Sequence, residues 1–140
     1  MYLIDTNVIS ELRKGSRAHP SVLRWNAQIP LHIQWISSIS IFELELGVER
    51  IKTRDPEQWK HLRSWLDHQV MPAFQGRIIA FDQEIAQTCA QLHIPNPQPE
   101  RDSMIGATAL QKKLTVVTRN ISDFQSMGCA LLNPWSSSTP

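Results

Sequence analysis

An α/β fold, with a central, mostly parallel sheet of four to five strands covered by helices on both faces, is predicted by three features of this sequence. Short apolar, β-rich runs alternate with segments of helical periodicity along its whole length. The 140 residues fit one compact domain and leave no room for a second of normal size. The hydrophobic fraction of 41% and charged fraction of 19% are those of an ordinary globule with a buried core.

The elements follow in order. Tyr2-Leu3-Ile4 reads as a first strand ending at Asp5-Thr6-Asn7, after which Val8, Ile9 and Leu12 recur at helical spacing until Gly15 stops them. Pro20 opens a second helix through Val22, Leu23 and Trp25. A second strand over Ile33-Gln34-Trp35-Ile36 ends in Ser37-Ser38 and feeds a helix over residues 39–51, too apolar to lie on the surface. Pro56 starts a helix whose Trp59, Leu62, Trp65, Leu66 and Val70 form a stripe, either core or an interface.

Residues 77–81 read as a third strand, and Asp82 caps a helix that runs to about His93. Pro95, Pro97 and Pro99 stiffen the next loop. Asp102 is expected to open a helix to about Leu114, followed by a strand over residues 115–118, a helical turn over 120–124 and an edge strand over 130–132. The domain is taken as residues 1–135, with a polar tail at 136–140.

Composition narrows the function. No apolar run approaches the roughly 20 residues of a membrane span, and a strand begins at once with no basic leader, so a cytoplasmic protein without membrane attachment is expected. Cys89 and Cys129 lack metal-ligand spacing and read as small core residues, without a disulfide. His19, His32, His61, His68 and His93 form no ligand motif, which argues against zinc. A net charge of +1 is too small to hold nucleic acid by bulk attraction, so any such binding must use local basic residues, of which Arg119 lies beside a suspected site.

That site is made of carboxylates. In a parallel α/β sheet the functional crevice lies beyond the C-terminal strand ends. Asp5 ends the first strand, Asp123 follows the fourth, Asp102 starts the helix before the fourth, and Glu43 lies a turn or two into the helix after the second. Brought together, four such groups repel one another unless a cation sits among them. Oxygen-only donors in an open crevice select Mg²⁺ or Mn²⁺, which supply an activated water and stabilise a leaving oxygen in phosphodiester hydrolysis. Each aspartate has a plainer use as a helix cap, worth about 0.5–2 kcal/mol. Ser40 to Glu43 also matches a capping box, while a cap at Ser38 would set Glu43 deeper; the sequence leaves both starts open.

These motifs together resemble the PIN-domain proteins of the VapC type, in particular the FitB-like branch. The likeness is carried by residues 3–12, by 36–37 through Glu43, Leu44 and Gly47, by Gly76 to Asp82, by 102–109, by 117–124 and by Asn133-Pro134-Trp135. It implies a PIN-like three-layer α/β/α sandwich and a Mg²⁺-dependent endoribonuclease, with Mn²⁺ as substitute, acting as the toxin of a type II toxin-antitoxin module. It implies Asp5, Glu43 and Asp102 as catalytic metal ligands, with Asp123 as the fourth and Asn120 as a neutral neighbour, although relatives differ over which of these two positions carries the acid. Thr6, Asn7, Thr118 and Arg119 are accessory candidates. The implied partners are an RNA substrate and a small antitoxin with a DNA-binding domain, in a homodimer or a hetero-oligomer. Gly106 stands where relatives more often have alanine, which suggests close backbone packing. The competing reading is a weakly active or inactive binding module that recruits the antitoxin for DNA-binding autoregulation, and Asn120 in place of an acid is its main support.

Overall fold

In the computed structural model, residues 1–136 are described; the remainder of the expected 136–140 tail lies outside them. The five strands are β1 (Tyr2–Ile4), β2 (Gln34–Ser37), β3 (Ile78–Ile79), β4 (Thr115–Val117) and β5 (Leu131–Leu132). They form one sheet in the order β3-β2-β1-β4-β5, with every pairing parallel. All five expected strands are present. The third is shorter than its apolar pattern suggests, because only Ile78 and Ile79 register against Ile36 and Ser37.

Connections fall on both faces. The helices are α1 (Thr6–Leu12), α2 (Pro20–Gln28), α3 (Ser38–Ile51), α4 (Pro56–Trp65), α5 (Met71–Ala73), α6 (Gln83–Leu92), α7 (Glu100–Lys112) and α8 (Ile121–Phe124). Between α4 and α5 the chain widens into a π turn over Leu66–Val70. Pro72 has no N–H to return to the preceding turn, and the wider spacing accommodates that loss.

Side-chain alternation along the strands divides the interior. Ile4 and Val117 point into a core with Val8, Val22, Leu44, Val48 and Leu66, beneath α1 to α4. Leu3 and Val116 point the other way, toward Ile105, Ala109 and Phe124. Such two-sided burial makes these strands uniformly apolar. The stripe on α4 also belongs to the first core: Leu62 and Leu66 are buried, and Trp59 and Trp65 are half-buried against the same cluster.

Arg77 secures the β3 edge, its guanidinium donating to the carbonyls of Leu31, Gln34 and Ala73. Gly106 explains a close approach. A Cβ at this position would stand 2.6 Å from Met127 Sδ, so as placed the Met127 side chain occupies the space a larger residue would need, and any such residue must displace it.

Candidate metal centre

Asp5 stands where β1 gives way to α1, at the C-terminal edge of the sheet. Its backbone N–H donates to Val117 O at 2.9 Å, which carries the β1–β4 ladder one residue past the strand. The side chain is also the α1 cap: Oδ1 accepts from Thr6 N at 2.8 Å. Oδ2 accepts from the Thr118 hydroxyl at 2.7 Å and from Asn7 Nδ2 at 3.2 Å. Capping and site geometry are thus one arrangement, since the bonds that satisfy the helix end also fix the carboxylate.

Thr118 and Asn7 extend this frame. The Thr118 hydroxyl accepts from Asn120 N at 3.0 Å, and Asn7 Oδ1 accepts from Arg119 N at 3.3 Å. The loop after β4 is therefore tied to the start of α1. Asn120 faces the cleft, with an exposed side chain.

Glu43 enters from α3. The helix is capped by Ser37, whose hydroxyl accepts from Ile39 N at 3.0 Å, so neither serine considered from the sequence is the cap and no capping box forms. Ser38 instead accepts from Phe81 N and holds the chain after β3. Starting the helix at Ser38 makes Glu43 its sixth residue, past the first turn, where the carboxylate is free to reach sideways. Oε1 accepts from the Thr6 hydroxyl at 2.6 Å, and Oε2 lies 3.6 Å from Arg101 Nη1.

Asp102 lies on α7, which begins two residues earlier than expected, at Glu100 after Pro99. The loop prolines allow this start, since a proline is tolerated at the helix boundary. Asp102 is thus a first-turn residue rather than the opener. Asp123 sits in the first turn of α8.

Asp102 lies within reach of the other three charges. The Asp102 carboxyl is pushed up to about 7, first by burial and then by the charges of Asp5, Asp123 and Glu43, with a hydrogen bond to Asp123 acting in the same direction. Asp5 is raised as well: burial outweighs its hydrogen bonds from Thr118 and Thr6, and the Glu43 charge adds to the rise. Asp5 and Asp102 resist ionisation first because they are buried and then because other carboxylates are near. Among the described residues, however, no three His, Cys, Asp or Glu side chains stand close enough together to grip an ion directly.

The four lie on or beside an open cleft of about 460 Å³, whose lining includes Asp5, Thr6, Glu43, Asp102, Asn120 and Trp135. At its rim Glu11 is held below the usual carboxylate range by Lys14, 3.0 Å away, and by the His19 N–H. Arg101, Phe42 and Trp135 were not picked out by sequence reasoning as site residues. For Arg101 the signal was a base beside a candidate ligand at a helix start, but its link to Glu43 spans two elements.

Comparison with known proteins places this arrangement in context. A family model described as PIN domain matches residues 2–128. The toxin FitB of Neisseria gonorrhoeae is 34% identical over 96% of this chain and 99% of its own length. The VapC ribonuclease Y4jK of Sinorhizobium fredii is 30% identical over 96% and 98%. Among solved structures, FitAB bound to the IR36 DNA fragment contains a chain that superposes with a TM-score of 0.89 at 30% identity, covering 99% of both chains.

Proposed function

From the premise that this chain belongs to the PIN-domain family, we propose that it is an endoribonuclease dependent on Mg²⁺ or Mn²⁺, and the toxin of a type II toxin-antitoxin module. One observation carries the reading: Asp5, Glu43 and Asp102, from three separate stretches of chain, line a single cleft, and burial together with the charges of Asp5, Asp123 and Glu43 holds Asp102 near 7.

Asp5, Glu43, Asp102 and Asp123 are the proposed ligands. Hard oxygen donors suit a hard divalent ion, and the absence of a direct three-point grip among the described residues suits Mg²⁺, which keeps several waters and binds through few carboxylates. When bound, such an ion supplies an activated water and charge for the leaving oxygen. The protein's own groups do the rest. Thr118, Asn7 and the Thr6 N–H fix both oxygens of Asp5, the Thr6 hydroxyl and Arg101 fix Glu43, and Asp123 hydrogen-bonds to Asp102. Asn120 and Arg119 are proposed to face the substrate at the rim.

Residues 1–135 are taken as one functional unit. The proposed partners are an RNA substrate and a small antitoxin with a DNA-binding domain, in a homodimer or hetero-oligomer acting in the cytoplasm. Their support is the FitB toxin relative, the FitAB–DNA structure with its matching chain, and the fact that no described helix is long and apolar enough to cross a membrane.

Purified protein with Mn²⁺ or Mg²⁺ is expected to degrade RNA, EDTA to stop it, and Asp5→Asn to abolish it; cleavage that survives in Asp5→Asn would reject the proposal. The binding-module reading draws on Asn120 standing in the cleft where an acid could be. It gains if growth inhibition persists in an Asp5→Asn, Asp102→Asn double variant that no longer binds metal.

A further inference from the structure

The acidic cleft creates a difficulty for an RNA enzyme. A phosphodiester must approach four carboxylates on a protein whose net charge is only +1, so neither long-range attraction nor the site itself draws it in. Something at the rim must hold the strand.

Two features stand there. Phe42 is 52% exposed, an unusual position for a phenyl ring, and it directly precedes Glu43 on α3. The Arg101 guanidinium lies 5.1 Å from its centroid while also pairing with Glu43. The exposed Arg119 lies 5.3 Å from the ring centroid of Trp135, and both line the cleft wall. The two pairs come from different elements, Phe42 and Arg101 from α3 and α7, Arg119 and Trp135 from the segments that follow β4 and β5.

We propose that the Arg101–Phe42 and Arg119–Trp135 pairs are nucleotide-holding sites on either side of the scissile phosphate, each taking one unpaired base by stacking and one phosphate by charge. The inference rests on the ribonuclease reading and adds its substrate grip.

The chemistry of each pair matches this task. Aromatic rings and guanidinium planes stack on any base, and a guanidinium set over a ring keeps N–H groups at its edge for phosphate oxygens. Burial does not explain the Phe42 ring, since about half of it faces solvent and its partner is a cation. The Trp135 backbone N–H donates to Asn133 Oδ1 at 2.9 Å and its ring packs partly against the core, so less of it needs to be ordered on binding.

The test is fluorescence anisotropy with a short, mixed-sequence single-stranded RNA and with the same sequence as a duplex, in EDTA, on an Asp102→Asn background that does not hydrolyse it. Phe42→Leu is expected to weaken the single strand about tenfold with little effect on the duplex, since one stacked base is lost, whereas Phe42→Trp should bind at least as well as the parent. Arg101→Gln should weaken binding and make it less salt-sensitive, by about one phosphate contact. Trp135→Leu should repeat the Phe42 result; because this ring is partly buried, its circular dichroism and melting are compared first, and Phe42→Leu alone decides if it misfolds. Equal affinity of Phe42→Leu and parent for the single strand, or equal losses for strand and duplex, would overturn the proposal. Wild-type cleavage with Mg²⁺ separates the failures: cleavage with unaltered Phe42→Leu binding sinks only the grip, whereas no cleavage and no RNA binding sink both readings.

Discussion

At the scale of single residues, Asp102 and Thr118 bear the clearest consequences. Unfolded, Asp102 ionises near 3.8, and folded near 7. Between those values the native state alone holds the proton, so the contribution of Asp102 to stability falls as pH rises from about 4 to about 7 and levels off above that. Asp102→Asn is therefore expected to raise the melting temperature of the metal-free protein at pH 8 and to flatten its decline from pH 4.5, as measured by thermal unfolding in EDTA. Added Mg²⁺ should stabilise the wild type at pH 8 and do little for the variant. Thr118 acts through Asp5. Its buried hydroxyl donates to Oδ2 and accepts from Asn120 N, so Thr118→Val leaves a buried carboxylate short of a donor. A loss of about 1–3 kcal/mol in urea unfolding, together with reduced cleavage, is expected, whereas Thr118→Ser should keep most of both.

At the scale of elements, α3 and α7 decide where two of the acids stand. The Ser37 cap fixes the start of α3 and with it the direction of Glu43. Ser37→Ala should cost about 1 kcal/mol in stability by denaturant titration, and lower activity further by letting the first turn fray. On α7, Gly106 lets the helix sit against Met127. The usual helix penalty of about 1 kcal/mol for glycine is accepted there in exchange for that approach. A branched side chain at this point must displace Met127, and Gly106→Val is expected to destabilise the fold by about 1–3 kcal/mol through overpacking. The first turn of α3 was open in the sequence between caps at Ser38 and Ser40, and the structure gives the role to neither, since Ser38 is taken by Phe81 N and Ser37 closes the turn.

At the scale of the whole molecule, net charge governs how RNA is met. With +1 overall and a cleft of acids, binding must depend on a few rim cations rather than on a basic face. The affinity for single-stranded RNA should then fall with salt at a logarithmic slope of about −1.4, the value for two phosphates at roughly −0.7 each. A slope several times steeper in a salt titration would show a basic surface elsewhere. The parallel sheet makes this compactness possible. Its C-terminal edge delivers Asp5 directly and brings in Glu43 and Asp123 through the elements that follow β2 and β4, so residues more than 100 positions apart meet without long loops.

The sequence by itself determined the alternation of strands and helices and the apolar strands that demand cover on both faces, because these depend on local periodicity, and it offered the four acids as candidates. Strand and helix limits were legible to within a few residues. The tertiary structure alone decided that Ser37 caps α3, that Arg101 answers Glu43, that the Trp59 to Leu66 stripe faces inward, and that Phe42 stands in solvent beside the cleft. Each of these is a contact or an orientation between elements distant along the chain. Only the packing of those elements fixes it, and local preference carries no record of it.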